Sequence, residues 1–406
     1  ICACLVGSEM CIRDRYNSMR LKGKYWPVVC LLLFLVSCGQ KSKNNTQAVG
    51  VAVSASDSSR IILPEYAEGF EVQYVEGGCL VTIQDPQKEK GKGEIYQYAF
   101  VRDKEAFAKN KVSADYVVQP VPIKNIICMT SLQLSNFIKL DELDHVVGIT
   151  STRHLFNEEV KRRLKEKKIR KIGIEGNFDN EVIISMNPDL ILISPFKRGG
   201  YDALKEVGIP LIPHLGYKEN SPLGQAEWIK FIGLLIGEEE KANAIFDSIK
   251  TEYNTLKQLT AKIEKKPVVF SGELRGGNWY AVGGRNFLAQ LFRDAGADYF
   301  LKDDPNTGGV TLDFETVYSR AESADYWRIL NSHNGTFTYD ALKAQDSRYA
   351  DFRAFKDKGV IYCNLKEKPY YENVPTHPEV LLKDLIKVFH PELLPEYTPV
   401  FYELLK

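Results

Sequence analysis

The sequence predicts an α/β fold of two lobes joined by a long rigid helix, preceded by a β-rich extension. Three observations carry that expectation. Short apolar strands alternate with helical stretches between residues 124 and 213, one helical period runs through 238–262, and the alternation resumes after Pro267. Strands separated by helices pair mostly in parallel, because a parallel neighbour needs a crossover long enough to hold a helix.

Taken in order, residues 1–18 contain the run CLVGSEMCIRDR and read as translated sequencing-adapter sequence, an artefact upstream of Met19. From Met19 the pattern is that of an export signal. Arg20, Lys22 and Lys24 form a positive stretch, and residues 26–36 are apolar. That run is shorter than the ~20 residues a membrane-spanning helix needs. Leu35, Val36, Ser37 and Cys38 match the bacterial lipobox, which makes 19–37 a lipoprotein signal peptide and Cys38 the lipidated residue. Each buried methylene of a lipid chain contributes roughly 0.8 kcal/mol, so a lipidated Cys38 would anchor the chain to a bilayer. Residues 38–60 are rich in Ser, Asn, Lys and Gln and read as a disordered tether. The folded body is therefore expected on the periplasmic side of a bacterial membrane.

Residues 61–122 form the β-rich extension. Residues 69–75 alternate, Gly77 and Gly78 make a turn, and 79–83 continue as the second arm of a hairpin; 95–101 form another strand. In the first lobe, 123–220, strands are expected at 125–129, 146–150, 189–194 and from 210. Helices are expected at 131–140, 157–168, 180–186 and 202–207. Connecting helices fill 221–265. Trp228, Phe231, Ile232, Leu235 and Ile236 lie on one helical face, Gly237 interrupts, and Ala242, Ile245, Phe246, Ile249, Tyr253 and Leu256 mark one side of the next helix. A helix of roughly 25 residues spans about 37 Å, a domain diameter. It suits a strut between lobes; a solvated helix within one domain has the same period. In the second lobe, 266–406, strands are expected at 268–270, 279–282, 326–330 and 360–364. Its helices are expected at 287–295, 314–320 and 378–389.

Composition excludes several classes. Lys plus Arg and Asp plus Glu are both 53, which gives no basic bias for a nucleic-acid partner. Cys79, Cys128 and Cys363 are too widely spaced for a disulfide framework or zinc site and suit small apolar strand positions. Gly283, Gly284, Arg285 and Asn286 precede a helix but lack the spacing of a phosphate or dinucleotide loop. A nucleophile elbow and an H-E-x-x-H pair are also missing, so no catalytic residue is expected.

Specific phrases then carry a resemblance. They are Lys171-Ile172-Gly173 followed by residues 180–192, Gly208-Ile209-Pro210, the run 228–240, Tyr280-Ala281-Val282-Gly283-Gly284, Ala295-Gly296-Ala297-Asp298, and Phe389-His390-Pro391-Glu392-Leu393. In this order they resemble the iron-chelate and vitamin B12 binding proteins of bacterial ABC importers, over about 124–395. The resemblance implies two Rossmann-like lobes and a ligand held in the cleft between them. It implies delivery to a membrane permease and its ATPase, with no resident cofactor. It also implies permease docking through an acidic residue on each lobe. Glu181 matches on the first lobe; on the second the usual Glu is missing near Arg293, and Asp294 is the nearest acid.

Ligand contacts vary in such proteins, so candidates come from the loops that follow strands. They are Arg153, His154, Lys197, Arg198 and Tyr217 on the first lobe, and Arg275, Trp279, Tyr280, Arg285, Trp327 and Tyr371 on the second. Guanidinium groups suit anionic chelates and aromatic faces suit a flat macrocycle. The ligand is thus expected to be a ferric siderophore, haem or cobalamin. The alternative is free zinc or manganese, held by His154, His214 and Glu175 among only six histidines.

Overall fold

The computed structural model describes residues 61–406 except 63, 151–153, 175–176, 196–200 and 207. The leader, Cys38 and the tether lie outside the described residues. Among those described, no helix is long and apolar enough to cross a membrane.

The first lobe is a five-stranded parallel sheet in the spatial order Leu211–Pro213, Leu190–Ile193, Ile126–Cys128, Val146–Ile149 and Arg170–Lys171. Every residue of Leu190–Ile193 and Ile126–Cys128 is buried, as expected of central strands covered on both faces. The helix Ser131–Leu140 starts at Thr130, whose hydroxyl accepts from the Gln133 amide while the Gln133 side chain accepts from the Thr130 amide. This reciprocal cap satisfies two donors that the first helical turn leaves open.

The second lobe has a sheet in the order Asp298–Tyr299, Val268–Ser271, Tyr326–Asn331, Val360–Asn364 and Glu403–Leu404; only the last strand is antiparallel. A separate antiparallel sheet of Glu273–Arg275, Asn278–Val282 and Gly309–Leu312 stands beside it. The core between them is aromatic. Phe270 stacks on Trp327 with centroids 5.2 Å apart and on Phe352 at 4.8 Å, and Trp279 lies 5.7 Å from Trp327. Near the chain end, the buried Asp384 carboxylate accepts from the Val400, Phe401 and Tyr402 amides and pins the last strand.

Between the lobes, helix Pro222–Ile236 stops at Gly237, whose φ of 82° a side chain would resist, and helix Glu239–Thr260 begins in a new direction. The long helix is a strut. At its start Lys241 pairs with Glu142 of the first lobe at 2.7 Å. Towards its end Tyr253 and Lys257 meet Asp294 of the second lobe at 2.8 and 3.0 Å, and Lys383 pairs with Glu252.

The extension is a five-stranded sheet in chain order, Ile61–Ile62, Phe70–Val75, Gly78–Gln84, Ile95–Val101 and Val117–Pro120, with only the last pair parallel. It closes over helix Pro222–Ile236. Phe70 meets Trp228 edge-on at 4.9 Å and Phe231 at 5.8 Å. Two carboxylates seal the seam. Glu227, with 0% of its surface exposed, accepts from the Glu65, Tyr66 and Ala67 amides at 2.7–2.9 Å. Glu219 accepts from Gly69 at 2.9 Å, Glu68 at 3.0 Å and the Trp228 indole at 2.8 Å. The helix expected to show one apolar face is therefore buried almost all round, because a second sheet covers what would have been its solvent side.

Candidate functional site

In a parallel sheet the strand ends that lead into helices form one rim, and ligands gather at that rim. Here the rims of the two lobes meet. The turn after Val146–Ile149 carries His154, whose Nδ1 lies 3.1 Å from the carbonyl of Leu365, just past Val360–Asn364. The His154 ring also packs on Tyr371 at 5.7 Å. Two residues on, the Phe156 amide donates to Glu372 at 2.7 Å and the Asn157 amide at 3.0 Å. The carboxyl ends of both sheets thus lie against each other at this junction.

Among the described residues, the first lobe's rim carries a network of neutral polar groups. Gln133, wholly buried, accepts from the Met129 amide at 2.7 Å and donates to the Ser194 hydroxyl at 3.2 Å. The Thr150 hydroxyl donates to the Met129 carbonyl at 2.8 Å. These groups follow three different strands and are tied into one network. Sequence reading did not single them out, although the T-x-x-Q spacing of Thr130 and Gln133 was a visible signal of a helix start.

The second lobe's rim is charged. A cavity of about 360 Å³ is lined by Glu273, Leu274, Arg275, Asn331, Ser332, His333 and Gln345. Asn331 Nδ2 donates to Glu273 at 3.0 Å, the Tyr362 hydroxyl donates to Asn331 Oδ1 at 3.0 Å, and Arg275 lies 3.6 Å from Glu273. A carboxylate, a guanidinium and an imidazole around one hollow suit a polar ligand with donors and acceptors.

The sequence-based candidates divide. His154 sits at the lobe junction and Arg275 lines the cavity. Tyr280 is half-buried opposite Glu273 in the hairpin, and Arg285 is exposed. Four aromatics are corrected to core residues. Trp327 and Trp279 are fully buried, their indole nitrogens donating to the carbonyls of Gly272 at 2.9 Å and Ser271 at 3.0 Å. Tyr217 is buried in the turn Gly216–Lys218, whose Lys218 pairs with Asp85 of the extension. Tyr371 is buried too, under His154. Arg153, Lys197, Arg198 and Glu175 lie outside the described residues. His214 is walled in by Trp228 at 4.6 Å, and burial holds its imidazole down to about 3, so it stays neutral. Among the described residues no three His, Cys, Asp or Glu side chains converge as a metal cage.

The docking pair divides as well. Glu181 is exposed in the first turn of helix Asn180–Ser185, with Ile184 exposed one turn on. Asp294 is corrected. It is 6% exposed and holds Tyr253, Gln290 and Lys257, which makes it the fastening of the strut and not a surface acid.

Residues 126–366 match the periplasmic binding protein family. The chain belongs to that family. Its members are the substrate-binding components of ABC transporters, which work with a membrane permease. An uncharacterized lipoprotein of Methanocaldococcus jannaschii is 25% identical over 392 residues, 90% of this chain and 92% of its own length. In fold, the chain is similar to a periplasmic heme-binding protein from Pseudomonas aeruginosa, with a TM-score of 0.55 and 16% identity over 70% of this chain and 98% of that one. It is also similar to a possible iron-binding solute-binding protein from Staphylococcus epidermidis, with a TM-score of 0.53 and 18% identity over 66% and 100%.

Proposed function

We propose that this family member captures a metal chelate (a ferric siderophore or haem) or cobalamin in the interlobe cleft and hands it to an ABC permease. The observation that carries the reading is the junction of the two rims, where His154, Phe156 and Asn157 meet Leu365 and Glu372, with Glu273, Arg275 and His333 around a hollow on the second rim. A chelate presents carbonyl, carboxylate or hydroxamate oxygens around a bulky body, and such a rim pair can hydrogen-bond those oxygens from two sides. The iron and heme named for the two solved relatives point the same way. The ligand is cargo, and no resident cofactor is invoked. Cys38 carries the lipid that holds the protein at the membrane, and Glu181 meets the permease.

Calorimetry on the soluble form beginning after Ser59 tests the ligand directly. Haemin, a ferric hydroxamate and cyanocobalamin are titrated in turn, and one should bind tightly with 1:1 stoichiometry. If none binds while free zinc or manganese raises the melting temperature strongly, the chelate reading fails in favour of a free-metal binder. For the anchor, a Cys38→Ala variant should move from the membrane fraction to the soluble fraction.

A further inference from the structure

The contact between the rims is itself a device. Glu372 belongs to the short helix Tyr370–Asn373 of the second lobe, and only 3% of its surface is exposed. Its carboxylate has no partner on its own lobe among the bonds described. It reaches across the boundary to the Phe156 and Asn157 amides, 216 and 215 residues away in sequence. Those amides stand immediately before helix Glu158–Lys165, which is capped on its own side by the Asn157 carboxamide accepting from Val160 at 3.0 Å. An anion there meets open amide donors and the positive end of the helix dipole together.

The groups facing Glu372 are few. Among the described residues, Lys161, one turn into the capped helix, is the cation that acts on it, and His154 and Tyr371 stand beside it. Burial pushes the Glu372 carboxyl up while the two amides pull it down. A second fastening lies on the same seam. Lys139 of the first lobe sits 3.3 Å from the His377 imidazole, whose Nδ1 is 3.1 Å from Glu379 of its own lobe.

Resting on the reading of the cleft as the ligand site, we propose that Glu372 is a positioning residue. It latches the first lobe's ligand-facing turn, 154–157, to the second lobe, so that the width of the cleft is set before any ligand arrives. A carboxylate is needed for this: the neutral isostere keeps one acceptor oxygen but turns an amide donor toward two backbone donors.

Hydrogen exchange followed by mass spectrometry on the ligand-free full chain tests the latch. In Glu372→Gln, exchange should quicken roughly tenfold or more in 154–165 and in 365–373 together, as local opening replaces a shared closed state. The extension should keep its wild-type rates, and Glu372→Asp should recover part of the protection. Unchanged exchange at 154–165 overturns the proposal, and so does a rise spread evenly over the chain. If the Gln variant does not fold, wild-type exchange in rising denaturant decides instead. Segments 154–165 and 365–373 should open in one step below the global transition, and separate openings overturn the latch. No ligand enters these measurements, so their failure would leave the capture reading standing, and the failure of the titrations would leave the latch standing.

Discussion

The two lobes are each built on a five-stranded, mainly parallel sheet but are closed in different ways. The second lobe covers itself: its own aromatic residues Phe270, Trp279, Trp327, Tyr349 and Phe352 pack between its two sheets. The first lobe leans on a borrowed cover. The helix Pro222–Ile236 beside it is sealed by Phe70 and Phe100 of the extension and by backbone amides of 65–69. The extension is therefore a wall of the first lobe and not an appendage. A fold can be completed by a segment that precedes its recognisable core.

Removing 61–122 should break this asymmetry most severely. It would bare Trp228, Phe231 and Leu235 and leave Glu227 without its three amide donors, so the truncated chain should fail to stay soluble while the intact chain does. Next in size, Trp327→Ala should cost about 3–5 kcal/mol in denaturant unfolding, because it empties the centre of the self-covered lobe. Glu227→Ala should cost roughly 3 kcal/mol by leaving three amides at the seam unpaired; a loss under about 1 kcal/mol would mean the seam is held by its apolar contacts alone. A subtler test uses pH. Burial pushes Glu219 from 4.5 up to about 7, against the pull of the Trp228, Glu68 and Gly69 donors. A carboxyl raised on folding takes up a proton in the folded state. Its contribution is complete below pH 4.5 and is lost as pH rises through about 7. The wild-type unfolding midpoint should fall across that window, and Glu219→Gln should flatten that part of the slope. Smallest of all, Arg275→Ala should shift stability by less than about 0.5 kcal/mol, since the side chain is partly exposed at the cavity. It should still weaken whichever ligand the titrations identify.

Much of the fold was legible because strand and helix periods are local. The helix expected at 131–140 is Ser131–Leu140, and the one expected at 378–389 is Pro378–Phe389. Strand Gly309–Leu312 went unread because its pattern is half-exposed and it pairs with Asn278–Val282 at long range. The site was less legible, since period says which residues are apolar and not what lies opposite. Trp279 and Trp327 follow strand positions that suit a ligand face, yet Phe270 and Phe352 are already there. Asp294 reads as a surface acid until Tyr253, 41 residues earlier, is folded against it. Glu372 carries no motif; its meaning lies in two amides on the other lobe.

The seam at Glu227 also sets an order of events during synthesis. The strands of the extension leave the ribosome first, but the carboxylate that ties down their entry lies 160–162 residues later. Until helix Pro222–Ile236 is made, Phe70 and Phe100 lack their partners Trp228 and Phe231. Contacts so distant in sequence form slowly, and an unpaired sheet face invites wrong partners meanwhile. The nascent chain thus has an aggregation-prone interval of more than a hundred residues of elongation, during which a holding chaperone would bind the extension first.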